Sequence, residues 1–161
     1  MVKKWLSEGH NSDKTIFSDK KRFTLDGSDN WMPYALKGRP VSRQKRIWKG
    51  GGIMTWLMVM PNGLMTHKFI DCKFRSSDYI KLLQETVVPI CRLNSGNDFH
   101  FQEDNCSVHK AKIVRDFMEN SKINILQWPA KSPDLNIVED MWKLLSDEIY
   151  TMVSNFKIYT I

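Results

Sequence analysis

Residues 50–70 read GGGIMTWLMVMPNGLMTHKFI, and this stretch contains two strand patterns separated by a turn. Apolar residues dominate Ile53–Met60, and the Pro61-Asn62-Gly63 sequence that follows is typical of a tight turn between antiparallel strands. The strand pattern resumes over Leu64–Ile70, so the sequence predicts a β-hairpin here. The apolar run is far too short to span a bilayer, so we expect no membrane partner.

The segments on both sides of the hairpin alternate between strand and helix patterns. Strand patterns precede it at 15–18 and 22–25. Meandering strands followed by alternating helices and strands predict an α/β domain with a ribonuclease-H-like fold, a mixed five-stranded sheet flanked by helices. Residues 1–161 are one domain's worth of chain. The downstream elements are a helix after Ser76, which is predicted to cap it, a strand over 98–104, a helix around 111–118, a strand at 123–126 and a last helix opened by Ser132-Pro133.

The composition is that of an ordinary globular protein, with 42% hydrophobic and 26% charged residues. These shares exclude a long disordered chain, a collagen-like repeat and a small disulfide scaffold. Cys72, Cys91 and Cys106 are widely spaced, and they show no zinc-ligand spacing with the histidines. They are predicted to be buried or unreactive thiols in a reducing compartment. No signal-peptide pattern follows Met1, so we expect a soluble intracellular protein.

The excess of positive charge lies in a single segment. The chain has 24 basic and 18 acidic residues, which gives a net charge of +6. Six of the basic residues and no acidic ones lie within 37–49, so the rest of the chain is neutral. Such a concentrated patch predicts a local contact with the phosphates of nucleic acid, while a nuclear-localisation signal and a solvated loop are the alternatives. This basic segment consists of Lys37, Arg39, Arg43, Lys45, Arg46 and Lys49.

Three acidic residues fall where a predicted strand ends or a predicted helix begins. Asp19 follows the first strand, Asp104 ends a later strand, and Glu139 lies in the first turns of the last helix. Glu139 lies on the shoulder of that helix's apolar face, whereas Asp140 points away from it. Carboxylates at such positions can hold two Mg²⁺ ions for phosphodiester chemistry. On spacing alone, solvated caps and turn residues are the more ordinary interpretation, and His109 taken singly is an ordinary exposed or supporting histidine.

Three local motifs change this interpretation. Residues 16–19 read IFSD, residues 102–105 read QEDN with His109 downstream, and residues 128–139 read WPAKSPDLNIVE. The interval between the second and third acid is 34 residues. In order and spacing these motifs resemble those of the catalytic domain of mariner/Tc-type DDE transposases, which read approximately FSDE, QQDN with a later His, and SPDLNPIE followed by Trp. The resemblance covers about residues 14–150.

The resemblance implies a metal-dependent polynucleotidyl transferase or endonuclease that acts on DNA. Asp19, Asp104 and Glu139 match the family's catalytic, metal-binding triad and are expected to hold two Mg²⁺ (or Mn²⁺) ions. The implied reaction is cleavage at a transposon end followed by strand transfer into target DNA, in the nucleus, with no small-molecule substrate. A homodimer is a possible assembly, which the sequence leaves open. Trp142 matches the aromatic residue after the last acid and is expected to pack the helix onto the sheet. The basic segment lies where the family carries a loop that contacts DNA or a partner subunit.

Three residues depart from the family's motifs. Lys20 stands where the family has Glu, Ile137 where it has Pro, and Glu103 where it has Gln. The additional negative charge of Glu103 either alters metal affinity or points away from the site on the opposite strand face. All three members of the triad are present.

The family's N-terminal helix-turn-helix DNA-binding region is not recognisable in the sequence, so we expect a single catalytic domain from a truncated copy. Three functions compete on this basis. The first is an active transposase core, and the second is a catalytically silent remnant or co-opted DNA-binding module. The third is a ribonuclease-H-type nuclease acting on RNA–DNA hybrids, and the 34-residue interval between Asp104 and Glu139 argues against it.

Overall fold

A five-stranded mixed sheet forms the centre of the protein, as the sequence predicts. The computed structural model describes residues 12–24, 51–95, 98–104, 106–126 and 135–158. The order of the strands across the sheet is β3-β2-β1-β4-β5, with β1 antiparallel to β2 and parallel to β4. The strands are β1 (Thr15–Thr24), β2 (Gly52–Val59), β3 (Met65–Ile70), β4 (His100–Gln102) and β5 (Asn124–Ile125).

Helices pack on both faces of this sheet. A π-helical turn over Leu83–Val87 joins the first two helices, and it ends just before Pro89, which has no N–H to donate to the carbonyl of Glu85. No helix within the described residues is long and apolar enough to cross a membrane. The helices are α1 (Ser76–Leu82), α2 (Val88–Ser95), α3 (Ser107–Lys110), α4 (Lys112–Asn120) and α5 (Ile137–Ile158), and a short 3-10 turn over Ser12–Lys14 precedes β1.

The predicted hairpin is confirmed. β2 and β3 pair antiparallel, from Val59 opposite Met65 outward. At the turn, the N–H of Gly63 donates to the carbonyl of Met60 at 3.0 Å, and the Asn62 side chain accepts from the next N–H along the chain. Gly63 has φ = +82°, a backbone conformation that glycine adopts without the steric penalty of a side chain.

The first strand differs from the prediction, because one continuous strand replaces the two short ones predicted at 15–18 and 22–25. β1 pairs with β2 without interruption from Phe17 opposite Val59 to Thr24 opposite Gly52. Long-range pairing with an apolar neighbour therefore overrides the polar Lys20-Lys21 step that divides the local pattern. As a result Asp19 lies inside a strand rather than after its end.

The start of α1 also differs from the prediction that Ser76 caps it. Ser76 is the first helical residue, and its hydroxyl donates to the carbonyl of Val108 at 3.4 Å. The cap position belongs to Arg75, whose backbone N–H donates to the Asp78 carboxylate at 2.9 Å. The carboxylate in the first turn satisfies the free N–H at the helix start, so the serine hydroxyl is left to join α1 to α3.

Two hydrophobic cores hold the layers together. The larger core lies between the sheet and α1–α4 and includes the fully buried side chains of Trp56, Tyr79 and Phe101. The smaller core lies under α5, where Val138 and Trp142 pack against β2. Among the described residues, this second face of the sheet is covered by α5.

An apolar groove extends beside α5 on the same face of the sheet. It has a volume of about 630 Å³ and lies between the flank of α5 and the outward side chains of β2 and β3. Several large apolar side chains in its walls remain open to solvent, with Phe69 72% and Leu144 63% exposed. Trp142 forms part of its lining.

All three cysteines are free. Cys91 is buried, and burial raises the pKa of its thiol to about 12. Cys106 is half-buried and Cys72 is exposed. The prediction of buried or unreactive thiols is therefore confirmed for Cys91, and for the exposed Cys72 the lack of reactivity stays a prediction.

Candidate active site

The pairing of two parallel strands places Asp19 beside Asp104. The ladder between β1 and β4 ends at Phe17 opposite Gln102, and each aspartate lies two residues beyond that pair on its own chain segment. Because β1 and β4 are parallel and in register, both half-buried carboxylates lie at the same end of the ladder. Ser18 fixes this register, because its N–H donates to the Gln102 side chain at 3.1 Å and its hydroxyl to the Gln102 carbonyl at 2.8 Å.

The start of α5 is attached to the same point of β1. The Asn136 side chain donates to the carbonyl of Ser18 at 3.4 Å and accepts from the N–H of Val138 at 3.1 Å, so one residue both caps the helix and ties it to the strand. Val138 is fully buried against the sheet. Glu139 follows in the first turn of the helix and is exposed.

Trp142 links α5 directly to the first acid. Its indole N–H donates to Oδ2 of Asp19 at 2.9 Å, and its ring packs edge-on against Phe23 at 6.0 Å between centroids. The expectation that Trp142 packs the helix onto the sheet is therefore confirmed. Sequence reasoning missed its role as a hydrogen-bond donor, and the signal for that role is its position one turn after Glu139, on the face that meets β1.

Electrostatics connect the three acids. Burial raises the pKa of Asp19 to about 6, and the negative charges of Glu139 and Asp104 add to this rise. The hydrogen bonds from the Lys20 backbone and from Trp142 act in the opposite direction. The carboxylates of Glu139 and Asp104 are thus both close enough to Asp19 to raise its pKa, so the three members of the predicted triad interact electrostatically.

Asp104 has the opposite electrostatic character. Burial alone would raise the pKa of Asp104, but the His109 ring, the Lys20 ammonium and the backbone N–H of Cys106 outweigh it and lower the pKa to about 2. The Nδ1 atom of His109 lies 2.7 Å from Asp104 Oδ1, and the Cys106 N–H donates to the same oxygen at 3.1 Å. Both contacts end on Oδ1, which leaves Oδ2 for another ligand.

His109 and Lys20 complete the surroundings of Asp104. His109 is buried in α3, and its Nε2 lies 3.2 Å from the Lys20 Nζ. Because an ammonium can only donate, Nε2 accepts and the ring proton resides on Nδ1, facing Asp104. The motif comparison marks both positions, but the contact between them depends on the packing of α3 against β1.

Asp19, Asp104 and Glu139 offer only carboxylate oxygens, a donor set that suits Mg²⁺ or Mn²⁺. Burial is the main cause of the raised pKa of Asp19, and the smaller contribution from the charges of Glu139 and Asp104 is a repulsion that a divalent cation would relieve. Within the part of the chain that the structure describes, no group of three or more His, Cys, Asp or Glu side chains is arranged to hold a metal ion. The three carboxylates are neighbours without converging on one point, and their role as metal ligands stays a prediction.

Two other predicted features lie outside the described residues. They are the basic segment, with Lys37, Arg39, Arg43, Lys45, Arg46 and Lys49, and the Ser132-Pro133 step predicted to open the last helix.

Comparison with known proteins supports the fold and identifies the family. The family model described as "DDE superfamily endonuclease" matches residues 14–157. The transposable element Tc3 transposase of Caenorhabditis elegans is 37% identical over 144 residues, which cover 88% of this chain and 44% of the relative. The Tc1 transposase of the same organism is 31% identical over 137 residues, which cover 82% of this chain and 50% of the relative. The chain therefore spans about half the length of the curated relatives it matches.

Solved structures show the same fold. The Mos1 transposase paired-end complex with the left transposon end superimposes with a TM-score of 0.68 at 18% identity, covering 96% of this chain and 49% of that chain. The Mos1 mariner transposase catalytic domain superimposes with a TM-score of 0.62 at 13% identity, covering 99% of this chain and 77% of that chain. The predicted ribonuclease-H-like fold is confirmed. The chain belongs to the DDE superfamily endonuclease family, as a catalytic domain of the mariner/Tc type.

Proposed function

We propose that this chain is a transposase catalytic core that cleaves DNA and transfers the freed strand in a reaction dependent on divalent metal ions. One observation carries the proposal: Asp19 and Asp104 lie side by side beyond the last parallel pair of β1 and β4. The charge of Glu139 on α5 acts on Asp19, so the third acid belongs to the same neighbourhood.

Each acid has a defined task under this proposal. Asp19 and Asp104 would hold cations between β1 and β4, and Glu139 would close the site from α5, with two Mg²⁺ or Mn²⁺ ions as the expected number. When bound, such ions activate the attacking oxygen and stabilise the leaving oxygen of a phosphodiester. Trp142 and His109 orient the two aspartates through the hydrogen bonds described above.

DNA is the proposed substrate, and a second copy of the chain is the proposed partner. The Mos1 structures include a paired-end complex with a transposon end, which supports both proposals by analogy. The basic segment would supply phosphate contacts, since a cluster of Lys and Arg releases the counterions that surround DNA. We propose the nucleus as the location, with the same segment as a candidate import signal.

Metal-dependent nicking of supercoiled plasmid DNA tests the proposed activity. We expect nicking with Mg²⁺ or Mn²⁺, none with EDTA, and background levels for Asp104→Asn and Glu139→Gln. Asp140→Asn is the matched control, since Asp140 is exposed on the same helical turn as Glu139, and its activity should equal that of the unmodified protein.

Three results would contradict the proposal. Equal nicking by Asp104→Asn and the unmodified protein would exclude the triad as the catalytic group. Preferential cleavage of an RNA–DNA hybrid over duplex DNA would favour a ribonuclease-H-type nuclease instead. If nicking is absent while duplex DNA is bound, the chain acts as a DNA-binding module.

A further inference from the structure

A charged cluster with a buried centre lies next to Asp104. Its centre is Glu103, whose side chain is only 3% exposed. The Tyr79 hydroxyl donates to Glu103 Oε2 at 2.8 Å, and an Arg115 Nη atom lies 2.9 Å from Oε1. The Glu103 side chain thus contacts Tyr79 of α1 and Arg115 of α4, in the helical layer that packs on the sheet.

This cluster is in direct contact with His109. The rings of Tyr79 and His109 are stacked, with centroids 4.2 Å apart and planes inclined by 27°. Glu103 Oε2 lies 3.9 Å from His109 Nδ1. Tyr79 therefore has two partners at once, because its hydroxyl holds Glu103 while its ring fixes the plane of the histidine.

The plane of the His109 ring determines whether the Asp104 carboxylate accepts a hydrogen bond from His109 Nδ1. Only in this plane does Nδ1 face the Asp104 carboxylate at 2.7 Å while Nε2 faces the Lys20 ammonium at 3.2 Å. A rotated ring would break the bond to Oδ1, and the carboxylate would be free to turn. The orientation of Asp104, a predicted metal ligand, thus depends on His109 and on the residues that hold the His109 ring.

We propose that Tyr79, Glu103 and Arg115 are positioning residues for Asp104, which act by holding His109 in one orientation and one tautomer. The catalytic consequence rests on the proposed function of the triad, whereas the effect on His109 does not. The Glu103 carboxylate is buried here at a cost in desolvation that an apolar side chain of equal volume would avoid, and the half-buried Arg115 offsets that cost only in part. A role in orienting His109 accounts for that cost, which packing alone would not require.

The electrostatics of the cluster agree with this assignment. Burial raises the pKa of Tyr79 well above its usual value, and the negative charge of Glu103 adds to the rise. Tyr79 therefore remains a hydroxyl that donates to Glu103. Arg115 balances the charge of Glu103, so the cluster adds no net negative charge next to Asp104.

The variants that test the proposal change one contact each. Tyr79→Phe removes the hydroxyl but keeps the ring, Glu103→Gln removes the charge but keeps the shape, and Arg115→Gln leaves Glu103 unbalanced. Tyr150→Phe is the control for the tyrosine, because its hydroxyl also makes hydrogen bonds that are partly buried, to Thr24 on β1. Lys112→Gln is the control for the arginine, since Lys112 is exposed on the same helix.

The first measurement is the ¹⁵N NMR spectrum of the imidazole groups without metal, with the His109 signals assigned by their disappearance in His109→Gln. We expect a single tautomer protonated at Nδ1 in the unmodified protein. Tyr79→Phe and Arg115→Gln should shift the signals towards a mixture of tautomers, and the double variant Glu103→Gln/Arg115→Gln should restore the single tautomer. The controls Tyr150→Phe and Lys112→Gln should leave the spectrum unchanged.

The second measurement is Mn²⁺ affinity, followed by electron paramagnetic resonance. We expect a loss of roughly tenfold for Tyr79→Phe and Arg115→Gln, the lower end of the usual effect of residues that orient metal ligands. Unchanged His109 signals in folded variants would overturn the proposal and leave the cluster a purely structural one. If the unmodified protein neither binds Mn²⁺ nor nicks DNA, the proposed function fails, and the NMR result still decides the role of the cluster.

Discussion

The indole N–H of Trp142 donates to Oδ2 of Asp19 at 2.9 Å, and this bond joins the last helix to the first acid of the site. The Trp142 ring is 2% exposed and packs in the smaller core. Because one side chain both anchors α5 and orients Asp19, docking of the helix and formation of the site are a single event.

Trp142→Phe separates these two roles, since phenylalanine keeps most of the packing and removes the donor. We expect the free energy of unfolding in urea to fall by about 1–3 kcal/mol, the usual cost of leaving a buried acceptor without its partner. At a temperature where the variant is fully folded, the decrease in stability cannot affect activity. We still expect Mg²⁺-dependent nicking to fall there, because Asp19 has lost the donor that orients it. Full nicking activity in the folded variant would show that Asp19 needs no orientation by α5.

Asp19 should destabilise the metal-free protein above its own pKa. Its pKa rises from 3.8 to about 6 on folding, so the folded protein binds the proton more tightly than the unfolded chain does. Stability from this group is therefore complete below pH 3.8 and declines as the pH rises to about 6. The decline is at most about 3 kcal/mol, and solvent screening at this half-buried site reduces it.

Asp19→Asn removes this decline, so the variant should be more stable than the unmodified protein at pH 7 in EDTA. Urea unfolding between pH 4 and pH 7 measures the difference, with Asp140→Asn as the exposed control. A pH profile for Asp19→Asn that matches the unmodified protein would show that the Asp19 proton is bound no more tightly in the folded state.

Much of the fold and site could be predicted from the sequence, and the errors share one cause. The hairpin at Pro61-Asn62-Gly63 follows from local turn chemistry, and the three acids follow from motifs and their interval. The continuity of β1 and the position of Asp19 inside it depend on pairing with β2, which no local pattern reports. The capping of α1 by Asp78 instead of Ser76 likewise depends on the competing contact that Ser76 makes with α3.

The cluster around Glu103 could not be predicted from the sequence, because it too depends on long-range contacts. A single substitution in a motif shows that a charge has been added, and strand alternation leaves its direction open. Its partners Tyr79 and Arg115 come from helices 24 residues before and 12 residues after it. Only the packing of α1 and α4 on the sheet brings these side chains together.

Two adjacent glycines at the start of β2, Gly51 just before the strand and Gly52 as its first residue, should respond differently to substitution by alanine. A Cβ at Gly52 would lie 2.8 Å from the backbone oxygen of Phe23, whereas a Cβ at Gly51 would meet nothing within 4 Å. Gly52→Ala should lower the unfolding free energy by about 1–3 kcal/mol, because the strand backbone must move. Gly51→Ala should change it by less than about 0.5 kcal/mol. Equal melting temperatures for the two variants would contradict this close approach of β1 and β2.

The apolar groove beside α5 should bind apolar dyes in the folded protein. Contiguous exposed apolar surface of this kind is unusual on a soluble monomer. We expect fluorescence enhancement of an anilinonaphthalene dye by the native protein, and a marked decrease in Phe69→Ser, since Phe69 is 72% exposed in the groove wall. Leu93→Ser is the control, because Leu93 is 87% exposed but lies away from the groove. Equal dye binding by the two variants would show that the groove is not the binding surface.

The basic segment carries the excess charge of the chain, and its contact with DNA remains a prediction that salt dependence can test. Arg43→Gln, Lys45→Gln and Arg46→Gln together remove three of the six positive charges in this segment. If each of these side chains neutralises a phosphate, the slope of log affinity against log salt should decrease by roughly 0.9 for each substitution. Fluorescence anisotropy with a labelled duplex between about 50 and 200 mM salt measures that slope.

The matched control is a second triple variant that removes the same charge from exposed positions elsewhere in the chain, Lys68→Gln, Lys73→Gln and Lys81→Gln. Equal slopes for the two triple variants would mean that net charge alone drives DNA binding and that the segment makes no specific contact.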